Sequence, residues 1–239
     1  LTKVVVISQP MFFPWIGLFE QVKLSDVFVH YDDVQLPQGR SFISRVQIKT
    51  KTGVQWLTVP VKRSNNQLIS DVELDNAQNW KRNHLRFLQH SYSKASCKSI
   101  MLDLVESIYN YNDGKLSNLN QRIVETISSF LHLSPCFKVS SHIDAKGHSS
   151  EKLLNIIKNL EGTVYVTGHG ARNYLNHELF ESENIQVAYM DYKKKIYPQL
   201  YGEFTPYVSI LDLIANVGYN SSEYLVSATI DWREFLKNE

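Results

Sequence analysis

The sequence predicts an α/β fold: a mostly parallel, Rossmann-like sheet that carries an antiparallel hairpin addition and a helical central segment. Three observations point there. Val4 to Ile7 is a β-branched run without alternation, which suits a strand buried on both faces of a parallel sheet. A proline-bearing loop and an amphipathic stretch then lead to a second apolar run at Val27 to His30, the order of a strand–helix–strand crossover. Strand patterns occupy both flanks of the chain, whereas Trp80 to Leu131 reads as helices.

Each element follows from local chemistry. Pro10 and Pro14 exclude a regular strand or helix interior between the first two elements, and Pro14 suits a first helical turn. Ile16, Phe19, Val22 and Leu24 make the apolar stripe of a short helix ending near Ser25. Asp32-Asp33-Val34-Gln35 opens a loop. Phe42 to Lys49 alternates, Thr50 to Gly53 turns, and Gln55 to Val61 returns as a second strand whose ladder Pro60 limits. Val72 to Leu74 is a brief strand. Helices follow at Trp80 to Tyr92, Ser99 to Tyr109 and Leu116 to Leu131, with Asn112-Asp113-Gly114 as the break between the last two. Then come a strand at Phe137 to Ser140, a helix at Ser149 to Asn159, a strand at Thr163 to Thr167, and a tight loop at Gly168 to Ala171. Arg172 to Phe180 reads as helical, Ile185 to Tyr189 as a strand, and Leu211 to Ala215 as a helix. No linker or repeat interrupts the chain. A single domain over residues 1–239 is expected, with residues 80–131 as a mainly helical insert or lobe.

Composition narrows the function classes. A formal charge of +1 provides no field to gather nucleic acid or an anionic membrane. Cys97 and Cys136 lack metal or redox spacing, and the histidines form no compact ligand set, so no metal is expected. No window approaches a membrane span, and the N-terminal apolar stretch is too short for a secretory leader. A cytoplasmic protein is the expectation.

Several polar groups fall where parallel folds bind ligands, at the carboxyl ends of strands. Gln9 ends the first strand and either orients a ligand or closes the proline loop. Trp15 and Gly17 start the first helix. Gly17 would admit a phosphate to the helix N-terminus, or would simply let helix and sheet pack around a core Trp15. Asp32 and Asp33 point apart on extended backbone, so one would serve as an acid or base and the other as a turn carboxylate, unless both are structural. Gln35 shares that loop. Arg45 and Lys49 share one strand face, compatible with phosphate or with plain solvent. His84 is a candidate base on a helix, against the alternative of a surface histidine. Gly168-His169-Gly170 follows an apolar strand, so His169 would open at the same sheet edge as Gln9 and Asp32, or would be an exposed turn residue. Gln199 lies in a segment rich in rings and prolines and is a possible ligand contact.

The chain resembles the WbqC-like family from about Val4 to Gly218. The likeness rests on Gln9-Pro10, Pro14-Trp15-Ile16-Gly17, Tyr31-Asp32-Asp33-Val34-Gln35 and Trp56-Leu57-Thr58-Val59-Pro60-Val61. It continues with Gly168-His169-Gly170, Tyr174-Leu175, Tyr197-Pro198-Gln199-Leu200 and Phe204-Thr205-Pro206. The segment Gln38-Gly39-Arg40-Ser41 departs from the more aromatic stretch of that pattern. The resemblance implies a role in bacterial surface-polysaccharide synthesis, including O-antigen and lipopolysaccharide, or in decorating unusual sugars. The opening of the chain is also similar to the nucleotidylyltransferase superfamily. It has Pro14-Trp15-Ile16-Gly17 where that superfamily carries a His-x-Gly-His motif, which argues against adenylyl transfer.

These readings together give a transferase acting on a sugar or nucleotide-linked sugar, in one version by acyl or aminoacyl transfer to an amino sugar. No cofactor is specified; an activated acyl or nucleotide-linked donor is compatible with the chemistry. The partner would be a nucleotide-sugar or amino-sugar substrate, and self-association or docking with a pathway enzyme is compatible too. The alternatives are a noncatalytic accessory protein of a polysaccharide-biosynthesis complex, or a nucleotidyl or glycosyl transferase.

Overall fold

In the computed structural model, residues 1–39, 41–111 and 114–238 are described. Arg40 and the Asn112-Asp113 part of the expected helix break lie outside them. The chain forms, in order, β1 (Val4–Ser8), α1 (Ile16–Leu24), β2 (Val27–His30), β3 (Arg45–Thr50), β4 (Gly53–Thr58), β5 (Val61–Lys62) and β6 (Glu73–Leu74). Next come α2 (Trp80–Ser91), α3 (Lys98–Tyr109), α4 (Leu116–Phe130), β7 (Cys136–Val139), α5 (Ser149–Asn159), β8 (Val164–Thr167) and α6 (His177–Ser182). The chain closes with β9 (Gln186–Asp191), α7 (Ile210–Val217), β10 (Ala228–Asp231) and α8 (Trp232–Lys237).

Six strands make the main sheet in the order β10-β9-β8-β1-β2-β7. β1 pairs in parallel with β2 on one side (Val6 opposite Phe28) and with β8 on the other (Val6 opposite Val166). The β-branched run is buried on both faces because successive side chains point to opposite layers. Val6, Phe28 and Val166 enter a core with α1, the β3–β4 hairpin, the three central helices and α7. Val5, Ile7, Val29 and Tyr165 enter a second core with α5, α6 and α8.

The hairpin is formed with Val46 opposite Leu57, but it is a separate two-stranded sheet and does not extend the parallel one. The antiparallel strand on the main sheet is β10, paired to β9. Neither β10 nor α8 is predicted from the sequence. Their signal is short: Thr229-Ile230 is β-branched, and Asp231 caps α8 by accepting from the Arg233 N–H at 2.8 Å. Glu20 of α1, buried, accepts from the Val226 and Ser227 amides and so fixes the approach to β10.

α2, α3 and α4 share one buried cluster with the sheet residues Val6 and Phe28. A polar tie fixes α4 against the loop after β1. The Asn120 side chain, fully buried, donates to the carbonyls of Pro10 (3.0 Å) and Ile43 (2.8 Å). Pro10 and Ile43 belong to segments that no ladder satisfies at those positions, so their carbonyls need this amide. Replacing Asn120 with Leu strands both acceptors while also removing the amide oxygen, which has no partner among the described residues. Asn120→Leu is expected to lower the unfolding free energy by about 2–3 kcal/mol. Urea denaturation reads this directly, and unchanged stability would refute the tie.

Candidate functional site

Strand order sets the location of the site. From β1 the chain steps outward to β2 and β7 on one side, and later to β8 and β9 on the other. The loops leaving the carboxyl ends of β1 and β8 therefore diverge, and a crevice opens between them. A cleft of about 890 Å³ lies there. Ser8, Gln9 and Met11 after β1 line it, as do Tyr31 and Val34 after β2, Thr167 to Ala171 at the end of β8, and Tyr192 and Lys194 after β9. Gln21 of α1, Ser149 and Leu153 of α5, and the rings of Trp15, Tyr165, Tyr174 and Tyr207 complete the wall.

Two side chains in this cleft have fixed hydrogen-bond polarity. His169 Nε2 lies 2.6 Å from the Met190 carbonyl, an acceptor only, so Nε2 carries the proton. The neutral ring then has its lone pair on Nδ1. The imidazole is held between Tyr192 and Phe235, with centroids 5.1 and 4.8 Å away. The Tyr192 hydroxyl accepts from the Gln21 amide nitrogen at 2.7 Å, which leaves its own O–H to donate elsewhere. Burial pushes the Tyr192 phenol up to about 12, so it stays a donor at neutral pH. A ring nitrogen able to accept a hydrogen bond and a hydroxyl able to donate one thus stand side by side. The Gln9 carboxamide, on the same wall, makes no hydrogen bond among the described residues.

The cleft also has features that suit an anionic ligand. α5 starts at it without a side-chain cap, and Ser149 adopts φ +50° there. The positive end of that helix is turned to the cleft. Three consecutive lysines follow β9: Lys193 pairs with Asp191 and Lys195 donates to the Glu223 carbonyl, whereas Lys194 lies over Tyr207 on the cleft wall. Tyr31 carries a phenol pushed up to about 12 by burial first and by Asp33 second.

Of the residues singled out in the sequence, Gln9, Trp15, Gly168, His169 and Gly170 meet in this cleft. Gly17 does not reach it. It is buried behind the Trp15 indole, where a Cβ would stand 2.3 Å from a ring carbon, so its missing side chain is what lets that ring fold over α1. Asp32 is buried and does not line the cleft. It accepts from Ser117 Oγ (3.2 Å), Ser141 N (3.2 Å) and Ser141 Oγ (3.3 Å), joining β2 to α4 and to the turn after β7. Asp33 pairs with Lys152 of α5 at 2.6 Å and accepts from Ser140 Oγ. Gln35 donates to Asn66 at 2.9 Å on the exposed side of the loop.

The remaining candidates lie elsewhere. The Arg45 guanidinium sits 4.0 Å over the Trp56 ring. Lys49 is buried on the hairpin rather than solvated with Arg45, because the segment Tyr197 to Thr205 crosses over it. Its ammonium donates to Gln199 Oε1 at 2.7 Å, and Gln199 Nε2 donates on to Asp212 Oδ1 at 2.8 Å. Burial raises the Asp212 carboxyl. His84 is buried between Tyr109 Oη and the Thr58 carbonyl, each 3.0 Å from a ring nitrogen. Sequence reasoning did not single out Gln21, Tyr31, Tyr174 or Tyr192 as site residues, and it read Lys194 only within the basic run Lys193 to Lys195, which suits a solvated face or a phosphate contact. Tyr31 and Tyr174 stood within motifs, but a tyrosine that lines a cleft and one that fills a core look alike in sequence.

Among the described residues no three His, Cys, Asp or Glu side chains gather as a metal site, and no helix is long and apolar enough to cross a membrane. The chain matches the model of the WbqC-like protein family over residues 9–224, and it belongs to that family. It is 36% identical over 227 residues to a Mycobacterium tuberculosis protein named "Uncharacterized protein Rv1507c", a match covering 93% of this chain and 97% of that one. No solved structure matches it.

Two outcomes follow from these placements. Gly17→Ala is expected to displace the Trp15 indole and cost about 1–3 kcal/mol, read by tryptophan fluorescence and denaturation; an unchanged spectrum and midpoint would contradict the packing. His84 gives a pH signature. Burial lowers its pKa from 6.5 to about 4 in the folded chain. Below 6.5 the unfolded chain binds a proton that the folded chain refuses, so stability is lost as pH falls from 6.5 toward about 4. The loss approaches roughly 3 kcal/mol at the acid end. His84→Gln is expected to flatten that limb of the stability curve, and an equal acid loss in both proteins would rule it out.

Proposed function

We propose that this member of the WbqC-like family is a cytoplasmic transferase that binds a sugar or nucleotide-linked sugar in the cleft between the β1 and β8 ends, with His169 as the base. The observation that carries the reading is the pairing of opposite polarities: a histidine whose Nε2–H is held by Met190 O, beside a tyrosine hydroxyl held as a donor by Gln21. Rings on several sides of the cleft suit the faces of a sugar or base, and Lys194 with the start of α5 suits a phosphate.

In group transfer, Nδ1 of His169 takes the proton of an amine or hydroxyl as that group attacks the donor's carbonyl or phosphoryl centre. Tyr192 donates a hydrogen bond to the oxygen that gains charge. The bond to the leaving group then breaks, and that group takes the proton from His169. Gln9 is placed to orient the acceptor. Acyl transfer to an amino sugar fits these roles most directly, because it asks only for a base and an oxyanion donor.

A mass-based screen of nucleotide-sugars and amino sugars against acyl and nucleotide-linked donors tests this reading. Turnover by the parent protein is expected. His169→Ala should lower kcat by about 10²–10⁴ with KM little changed. Tyr192→Phe should lower it by about 10²–10³. Full activity in both variants would overturn the assignment, and saturable sugar binding without turnover under any donor would favour an accessory role.

A further inference from the structure

A second pocket of about 190 Å³ adjoins the cleft, and its chemistry is different. Phe12, Pro14, Phe42 and Val46 line it, together with Met11, Trp15 and Tyr207, which also line the main cleft. The Trp15 and Tyr207 rings, with centroids 5.4 Å apart, are common to both spaces. The two spaces therefore share these rings as a common boundary.

Most of the lining is apolar, and its only unspent polar side-chain groups among the described residues are the Trp15 indole N–H and the Tyr207 hydroxyl, on residues shared with the main cleft. The Phe12 amide donates to the Phe42 carbonyl at 3.0 Å, and the Pro14 carbonyl accepts from Ile210 at 2.9 Å. The Phe13 carbonyl next to it accepts from Ser209 Oγ at 2.8 Å. A phosphate, a sugar hydroxyl or the edge of a nucleobase would lose most of its hydration here and find at most the Trp15 N–H and the Tyr207 hydroxyl in return. The ammonium of an aminoacyl group would lose still more. Carbon fits. A dry cavity of about 150 Å³ holds a benzene ring, so this pocket has room for about six carbons. Half of each of the Phe42 and Tyr207 side chains is exposed (49% for both), so the mouth is open to solvent.

We infer that this pocket, formed by the Pro10–Trp15 loop and the hairpin, binds the carbon chain of a short aliphatic acyl group whose polar end lies in the main cleft. The inference rests on the reading of that cleft as the sugar site, and it selects a simple acyl group over an aminoacyl one.

The chain contains three methionines, of which Met101 and Met190 are fully buried, so methyl-labelled Met11 reports ligand in the pocket or on the adjoining cleft wall with two internal controls, and the Val46 and Phe42 variants below, which line the pocket and not the cleft, tell the two apart. Titration with straight-chain carboxamides, from acetamide to decanamide, is the direct test because these carry no sugar. The Met11 methyl is expected to shift saturably while Met101 and Met190 stay still. Affinity should rise about fourfold per methylene and level off near about six carbons. Val46→Phe should weaken hexanamide at least tenfold. Phe42→Ala, on the exposed rim, should weaken it severalfold without threatening the fold. An unmoved Met11, no dependence on length, or affinity still rising at decanamide, as on an open lipid surface, would overturn the inference.

A second arm uses N-acyl glucosamines and S-acyl pantetheines of the same chain lengths. The series that repeats the amide length dependence identifies whether acceptor or donor carries the chain. If amides bind but neither series does, the pocket stands as an acyl site and the sugar reading of the cleft falls.

Discussion

β1 takes a parallel partner on each edge, and the rest of the molecule follows from that placement. A strand with two parallel neighbours must be buried on both faces, which Val5 and Val6 satisfy with branched side chains. The crossovers that leave β1 and β8 travel in opposite directions across the sheet. α1 packs in one core layer and α6 in the other, as two right-handed connections of opposite sense require. The crevice at the carboxyl ends is a consequence of that reversal and needs no special local sequence.

Several polar residues hold this arrangement together and leave little of their hydrogen-bonding capacity for a ligand. Asp32 joins the end of β2 to α4 through Ser117 and to the turn after β7 through Ser141. Asn120 holds the loop after β1 to the hairpin. The chain from Lys49 through Gln199 to Asp212 fixes the segment that crosses the hairpin, with a carboxamide between a buried ammonium and a buried carboxylate. Each of these groups would be costly to bury alone, so each is partnered. His169, Tyr192 and Gln9 differ because each lines open space with a donor or acceptor unspent.

That distinction explains what the sequence could show. Val4 to Ile7 and Val164 to Val166 announce buried strands by composition alone, and the position of Gln9 and His169 just past them follows from the parallel order. β10 and α8 escape notice because four residues of weak pattern become a strand only beside β9. Asp32 and His84 carry titratable groups in suggestive places, yet partners far along the chain, Ser117 and Tyr109, decide their roles. Gln21 and Tyr192 are 171 residues apart, and no local pattern connects them. Local chemistry encodes the elements; long-range pairing encodes which polar groups remain available.

The central claim is that ligands bind where β1 and β8 part. The most direct measurement is a crystal structure of the protein soaked with a nucleotide-sugar. The account expects the ligand between Gln9, His169 and Tyr192, with its phosphate toward Lys194 or the start of α5. A ligand seated instead in the polar hollow beside Lys49 and Glu203, with the crevice empty, would contradict it.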